Sequence, residues 1–453
     1  MTVSALSAEA PVFTRGSTMR HVAVMTATGS IGLVSVFAID FLSLFWVSRL
    51  GSQALKAAIG YATQFQFIGI SVSIGVTIAI SATVSRALGA GDRVRARRLA
   101  ASGVTIATLL SLALAAVMWI YREPALAVLL HAKGEPARVA SDFLAIVVPT
   151  NVALTLGMAF SGVLRAVGDA RRAMFVLLSG GVVTALADPV LIFGCGLGVT
   201  GAAWAMVISR LVLLGFGLWG VIGVHDLIGR PRIAAMRKDF APIMTIGLPA
   251  ILANLATPVA AIYITRIWSD FGEAAVAGGA VIDRVVPLAF GVVFALTGSI
   301  GPILGQNYGA RLMGRVQQAV MDALILSVGY ALLAWAVLAF AAPTIASIFD
   351  TSGDATVFIV FFCHFGAAAW VFITCLFVAN TVFNNLGYPL LAMLFNWGRA
   401  TLGTIPFVAL GARWGGVEGA ILGIAAGSAV FGLIATVLAF GVVSRLANAI
   451  DPK

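Results

Sequence analysis

Two carboxylates in this chain stand where water is scarce. Asp40 and Asp188 each interrupt an apolar run long enough to cross a bilayer. An acid at the centre of such a helix costs about 2.5–3.5 kcal/mol even on lenient insertion scales, and it points to function by default. Burial favours the neutral carboxyl. Such a group can take up a proton on one side of a membrane and release it on the other, which is the chemistry of a cation-coupling site. Hydroxyls stand near both acids: Ser43 is three residues after Asp40, and Thr184 is four before Asp188, on the same helical face. The same residues also permit a structural reading, each acid held by a hydroxyl or an arginine. Pro189, beside Asp188, removes a backbone hydrogen bond. A bend there would turn carbonyls toward a cavity, where they could ligate an ion; a static kink fits equally well.

The remaining polar residues inside apolar runs read as structural. Asp283-Arg284 is expected to be self-compensating, with its charge partnered locally or at the cleft, given the cost of buried charge. Arg210 and Arg399 read as snorkelling or paired, and His364 as a satisfied polar residue rather than a second proton relay. Cys195, Cys363 and Cys375 are scattered, with no CxxC, so neither a disulfide framework nor a metal site is expected. Gly196-x-Gly198-x-x-Gly201 matches a dinucleotide fingerprint, but no strand precedes it and it lies in a short turn between apolar runs. No Walker motif and no nucleophile–base pairing occur, so the reading is of a protein without a cofactor that is not an enzyme.

The elements that must position the two acids are membrane spans. The chain is 60% hydrophobic and 10% charged, against about 25% charged in a soluble domain. The polar first 17 residues carry no cleavable apolar segment, so no signal peptide is expected. Apolar runs separated by polar breaks count to twelve: 22–48, 55–88, 98–120, 138–165, 172–194, 198–224, 241–268, 274–307, 316–342, 355–385, 389–411 and 416–444. The breaks alternate in charge: one set holds 18 of the 28 basic residues, the other 7. That bias predicts cytoplasmic termini, and explains the net charge of +10 without nucleic acid.

The sequence also repeats itself. Gly51-x-x-Ala54 is echoed by Gly272-x-x-Ala275, Leu88-Gly89-Ala90 by Tyr308-Gly309-Ala310, Gly168 by Gly387, and Gly198-Val199-x-Gly201-Ala202 by Gly416-Val417-x-Gly419-Ala420, at offsets drifting from 221 to 218. The expected fold is an all-α polytopic membrane protein of twelve transmembrane helices in two six-helix lobes, related as parallel repeats by a pseudo-two-fold axis along the membrane normal. The expected divisions are 1–224 for the N-terminal lobe, 225–240 for a cytoplasmic linker and 241–453 for the C-terminal lobe. Asp188-Pro189 corresponds to Ile405-Pro406 in the second half, and Asp40 to apolar residues around Ile264, so both acids belong to one lobe. The Gly419, Gly423, Gly427 ladder reads as a small-residue packing face.

These pieces resemble the multidrug and toxic compound extrusion (MATE) transporters. Asp40 ahead of Val47-Ser48-Arg49-Leu50-Gly51 is similar to the family's D…VGRLG. Leu164-Arg165-Ala166-Val167-Gly168-Asp169-Ala170-Arg171 looks like LRGxGDxR, and Leu186-Ala187-Asp188-Pro189 through Gly201-Ala202-Ala203 like LDPLLIFGxxxGVxGAA. Ile246-Gly247-Leu248-Pro249 and Pro302-x-x-Gly305-Gln306-Asn307-Tyr308-Gly309-Ala310 look like IGLP and PLVGQNxGA. The acids in the first lobe resemble the DinF-like branch; Thr257 stands where the NorM-like branch has a glutamate. This sequence departs from the branch where it has Thr184 for an asparagine, Met206 for a threonine, and no proline near Met25.

The resemblance implies a multi-pass inner-membrane antiporter, monomeric and surrounded by lipid. It would export organic cationic or amphipathic compounds by alternating access, with Asp40 and Asp188 coupling the cation. Substrate contacts are expected from Asn151, Thr184, Met206, Gln64 and Met158, since flexible methionine-lined walls suit promiscuous binding. A site short of side-chain oxygens favours protons over sodium, a hard cation that wants several oxygen ligands. The alternatives are a sodium-coupled exporter and a lipid-linked sugar flippase of the wider superfamily.

Overall fold

Backbone amides in hydrocarbon must find partners within their own segment, which a helix provides. A computed structural model describes residues 11–50, 53–129, 132–230, 232–349 and 353–450, with the side chains of all of these except 39–41, 44, 48, 53, 56 and 129. No strand occurs among the described residues. The first half comprises α1 (Thr18–Ser48), α2 (Gln53–Gly89), α3 (Arg93–Ile120), α4 (Arg122–Leu129), α5 (Gly134–Val147), α6 (Asn151–Val167), α7 (Ala170–Pro189) and α8 (Val199–Leu218). The second comprises α9 (Ile233–Asp270), α10 (Glu273–Ala289), α11 (Gly291–Gly309), α12 (Met313–Ile348), α13 (Asp354–His364), α14 (Ala369–Leu386), α15 (Pro389–Ala400) and α16 (Ile405–Ile450). Helix α9 begins at Ile233, inside the stretch read as linker.

Ten helical stretches are long and apolar enough to cross a bilayer, and α10 with α11, bent by 44°, make an eleventh. The twelfth lies within α16. Gly415 and Gly416 leave helical φ/ψ there, and the chain doubles back. A Cβ at Gly411 would stand 2.0 Å from the Gly419 carbonyl oxygen, one at Gly423 2.3 Å from that of Phe407, and one at Gly427 1.5 Å from that of Gly403. Each four-residue step along one arm thus meets a four-residue step back along the other, as an antiparallel hairpin requires. The glycine ladder is a backbone-to-backbone packing face.

Two spans are broken in the same way, one in each half. Pro149 interrupts the α5–α6 span at the 3₁₀ turn Val148–Thr150, and a proline leaves the carbonyl four residues back without its amide. That carbonyl, of Ala145, accepts from Trp119 Nε1 of α3 at 3.1 Å. In the second half Trp335 Nε1 of α12 donates to the His364 carbonyl at the α13–α14 break, 2.9 Å away. The His364 ring contacts its own helix, at the Val360 carbonyl.

The two halves meet along a seam with the same symmetry. A Cβ at Gly89 would lie 2.0 Å from the Gln306 carbonyl oxygen, and one at Gly309 2.1 Å from that of Arg86. These are the same contact seen from each side of the pseudo-axis, related by the repeat offset of 220. Side chains are exchanged likewise. Arg86 Nε and Nη2 donate to the Asn385 and Asn384 carbonyls at 2.8 and 3.0 Å. Gln306 Nε2 donates to the Ala166 carbonyl at 2.7 Å. The seam continues to mid-depth, where Gly75 abuts Ile251 and Gly291 abuts Val34. Every glycine whose added Cβ would come within 3 Å of the other half lies between the face carrying residues 11 and 450 (the near face) and this level.

On the near face the linker is held by charge. Asp226 pairs with Arg97 at 2.7 Å, and Asp239 accepts from Arg98 and Ser102 of α3. Asp169 caps α7 by accepting from the Arg172 amide at 3.0 Å, and also accepts from Arg172 Nη1 and His225 Nε2. Burial alone would raise the Asp169 carboxyl, but the bonds from His225 and from the amide and guanidinium of Arg172 outweigh it and hold it well below the usual carboxylate range.

Gly89→Ala should cost about 1–3 kcal/mol of stability in this conformation by forcing backbones apart. Gly314→Ala, in open space on α12, should be neutral or stabilising; thermal unfolding in detergent compares the two. Asp169→Asn has a pH signature. A carboxyl whose folded value is depressed stabilises fully above its unfolded value, near 3.9, and loses that stabilisation as pH falls toward the folded value. The variant should unfold at lower temperature at pH 7, and its deficit should shrink below about pH 4.

Candidate cation-coupling site

Asp188 ends α7, is 1% exposed, and accepts a hydrogen bond on Oδ2 from Ser43 Oγ of α1. No ion pair to Asp188 occurs among the described residues. Helix α1 places residue 40 one turn before Ser43; the Asp40 side chain itself lies outside the described residues. After Pro189 the helix widens rather than breaking. Residues Val190–Gly194 form a π-helical turn, and the Cys195 amide reaches back five residues to the Val190 carbonyl at 2.8 Å. The site lies on the far side of mid-depth, beyond the level where the seam contacts stop.

A second polar cluster fills the same half. Arg210 of α8 is 6% exposed. Its Nη1 donates to the Val147 carbonyl at 2.9 Å, Thr150 Oγ1 at 3.0 Å and Asn151 Oδ1 at 2.7 Å. It therefore patches the break in the α5–α6 span and does not snorkel to a surface. Asn151 is 5% exposed, and a Cβ at Gly69 would be 3.0 Å from its Nδ2. One turn before Gly69, Gln66 Nε2 faces the Met206 sulfur at 3.8 Å. Asn151 and Met206 are thus brought together by Gln66 and Arg210, neither of which the sequence reading had placed there.

The other expected substrate residues lie apart from this cluster. Gln64 is exposed, because two residues along a helix turn it about 200° from Gln66. Thr184 Oγ1 donates to the Gly180 carbonyl of its own helix at 3.1 Å, so its hydroxyl is not spent on Asp188. Met158 is half-buried two turns along α6 from Asn151. Asp283 and Arg284 do not compensate each other. Both are exposed and neither forms an ion pair among the described residues, since consecutive helical positions point about 100° apart. Arg284 matches Gln64 at the repeat offset of 220, so equivalent faces of α2 and α10 carry exposed polar groups.

Two six-helix halves packed on one face, with a buried acid in one half beyond the packed zone, define a polytopic membrane transporter of the two-lobed kind. The comparisons with known proteins agree. The chain belongs to the MatE family, whose pattern matches residues 30–190 and 249–410, one stretch in each half. It is 28% identical over 421 residues to the FAD transporter of Shewanella oneidensis, covering 92% of this chain and 93% of that one. It is 23% identical over 323 residues to the multidrug export protein MepA of Staphylococcus aureus, covering 71% and 70%. A solved structure of the Vibrio cholerae MATE transporter VcmN shares the fold, with TM-score 0.89 at 24% identity over 96% of this chain and 98% of that one.

Replacing Arg210 tests the cluster. Hydrogen bonds to a charged group contribute about 1.5–3 kcal/mol each, so Arg210→Met should destabilise by at least about 2 kcal/mol. Gln64→Ala should stay within about 0.5 kcal/mol. Chemical unfolding in mixed micelles reads both.

Proposed function

We propose that this protein is an antiporter that expels organic cationic or amphipathic compounds by alternating access, driven by protons taken up at Asp188 and Asp40. The observation that carries this reading is Asp188 itself: a carboxyl in a membrane span, 1% exposed, whose partner is a neutral hydroxyl. No basic side chain pairs with it among the described residues, so no fixed positive charge locks it in the ionised form. The sodium alternative needs several hard oxygens around the ion, and the side-chain oxygen bonded to Asp188 among the described residues is that of Ser43. The relative named as a multidrug export protein supports the substrate class.

The arginine-rich breaks on the near face support cytoplasmic termini in an inner membrane. The packed near half and unpacked far half then correspond to a carrier open to the outside. Lobes of 1–224 and 241–453, joined by a linker at 225–240, are the bodies we take to rock. A potential of −100 mV would contribute about 2.3 kcal/mol for each proton moved inward.

A second reading concerns the cargo. The relative named as an FAD transporter covers more of the chain than the multidrug exporter does, 92% against 71%. A flavin nucleotide is therefore the first alternative substrate to try.

Efflux from proteoliposomes under imposed gradients tests the mechanism. A pH gradient alone should drive transport of a fluorescent organic cation, and Asp188→Asn and Asp40→Asn should each reduce it to background, while Gln64→Ala leaves it measurable. Sodium-driven transport indifferent to pH would sink the proton assignment. Full activity in both acid variants would remove the site.

A further inference from the structure

Another acid is buried along a spanning helix, in the second half of the chain. Asp322 of α12 is 3% exposed. Its Oδ2 accepts from Thr18 Oγ1, and its Oδ1 accepts from Gln318 Nε2 at 2.8 Å. Thr18, 6% exposed, is the first residue of α1. A helix N-terminus suits a negative charge, so this bond joins the start of α1 to the second half.

The residues around Thr18 are tied the same way. The Phe13 amide donates to Gln306 Oε1 at 2.9 Å, and the Phe13 carbonyl accepts from Asn307 Nδ2 and Arg315 Nη2 at 3.1 and 3.0 Å. Arg315 Nη1 donates to the Gly16 carbonyl at 2.9 Å, and Ser299 Oγ to that of Met25 at 2.9 Å. The near end of α1 is therefore bonded to α11 and α12. Its far end is bonded to the first half, through Ser43 and Asp188. Twenty-five residues separate the two attachments, about 37 Å along a helix, with no proline in between.

We propose that Thr18 and Asp322 are positioning residues of the transport cycle, fixing the near end of α1 to the second half so that events at Ser43–Asp188 reach the near-face seam along α1. This rests on the coupling role given to Asp188 above. A hydrogen bond to an ionised carboxylate is about twice as strong as one to a neutral partner. Neutralising Asp188 thus loosens the far end of α1 from α7. Held at its other end by Asp322, α1 then moves with the second half, and the Val12–Thr14 turn moves with it.

The test measures distances between spin labels at Val94→Cys and Gly314→Cys, two exposed near-face positions on opposite halves. The native cysteines are replaced by serine. Asp188→Asn, mimicking the neutral acid, should change the population of the longer-distance state by about threefold. Thr18→Val should cut that response to less than half, and Thr18→Ser, which keeps the hydroxyl, should preserve it. A merely structural role would lower thermal stability and leave the response to Asp188→Asn intact, and that result overturns the proposal. Should Thr18→Val fail to fold, Asp322→Asn carries the same test, since it weakens the bond without removing the acceptor; an undiminished response again overturns it. If Asp188→Asn moves nothing even with Thr18 and Asp322 intact, the coupling site falls and this proposal with it. If it moves the labels regardless of Thr18 and Asp322, only the link along α1 falls.

Discussion

Two backbone carbonyls pressed against two glycines hold the halves of this molecule in register. In lipid there is no hydrophobic force between helices, so association depends on close packing and on hydrogen bonds between them. Gly89 against Gln306 and Gly309 against Arg86 supply the first. The exchange of Arg86 onto the Asn384 and Asn385 carbonyls, and of Gln306 onto that of Ala166, supplies the second. Both belong to the near face. Because the seam ends at mid-depth, the far parts of α2 and α10 carry exposed polar residues that a fully packed bundle would have to exclude. The buried acid of the first half sits beyond that boundary.

Duplication explains the scaffold but leaves the chemistry one-sided. Trp119 and Trp335 repair the broken spans of their respective halves in the same manner. Asp188, by contrast, corresponds to Ile405, and Arg210 corresponds at the local offset of 218 to Ser428. The first half therefore contains a buried carboxyl and a buried guanidinium with no counterpart at the matching positions of the second half. Arg210 is accounted for by the carbonyls and hydroxyl at the Pro149 break. Asp188 is held by a single neutral hydroxyl, and this difference separates a group that can change charge from one that cannot.

The spans and their pairing were legible because hydrocarbon thickness imposes a length on apolar runs and duplication imposes an offset. Even the turn inside α16 could be read, since Gly415-Gly416 matches the loop at Gly198. What could not be read was rotation about each helix axis. A helix apolar on all sides has no polar stripe to mark its inward face. Nothing in the sequence marked Gln66 as turned inward and Gln64, two residues away, as exposed. Thr184 shares a face with Asp188, yet its hydroxyl had a nearer acceptor in its own backbone, a common competition for threonine inside helices. Asp283-Arg284 was read as a pair although adjacent positions on a helix diverge. The bonds at Asp322 had no signal, because Thr18 lies 304 residues away.

The absence of a proline near Met25 bears on how the first helix can take part. A sharp kink needs a proline, a Gly/Ser pair, a π-bulge or an inserted side chain; α1 holds one such pair, Gly29-Ser30, yet runs unbroken from Thr18 to Ser48. Bending at a fixed hinge is then a poor way to carry a signal along it. Its attachments offer another. One end is bonded to the first half through a carboxyl that can become neutral, and the other to the second half through amide, guanidinium and hydroxyl donors on the Val12–Thr14 turn and Asp322. A rigid helix bonded to two moving bodies must follow whichever holds it more strongly. Changing the charge at one attachment alters that balance without any change in the helix itself.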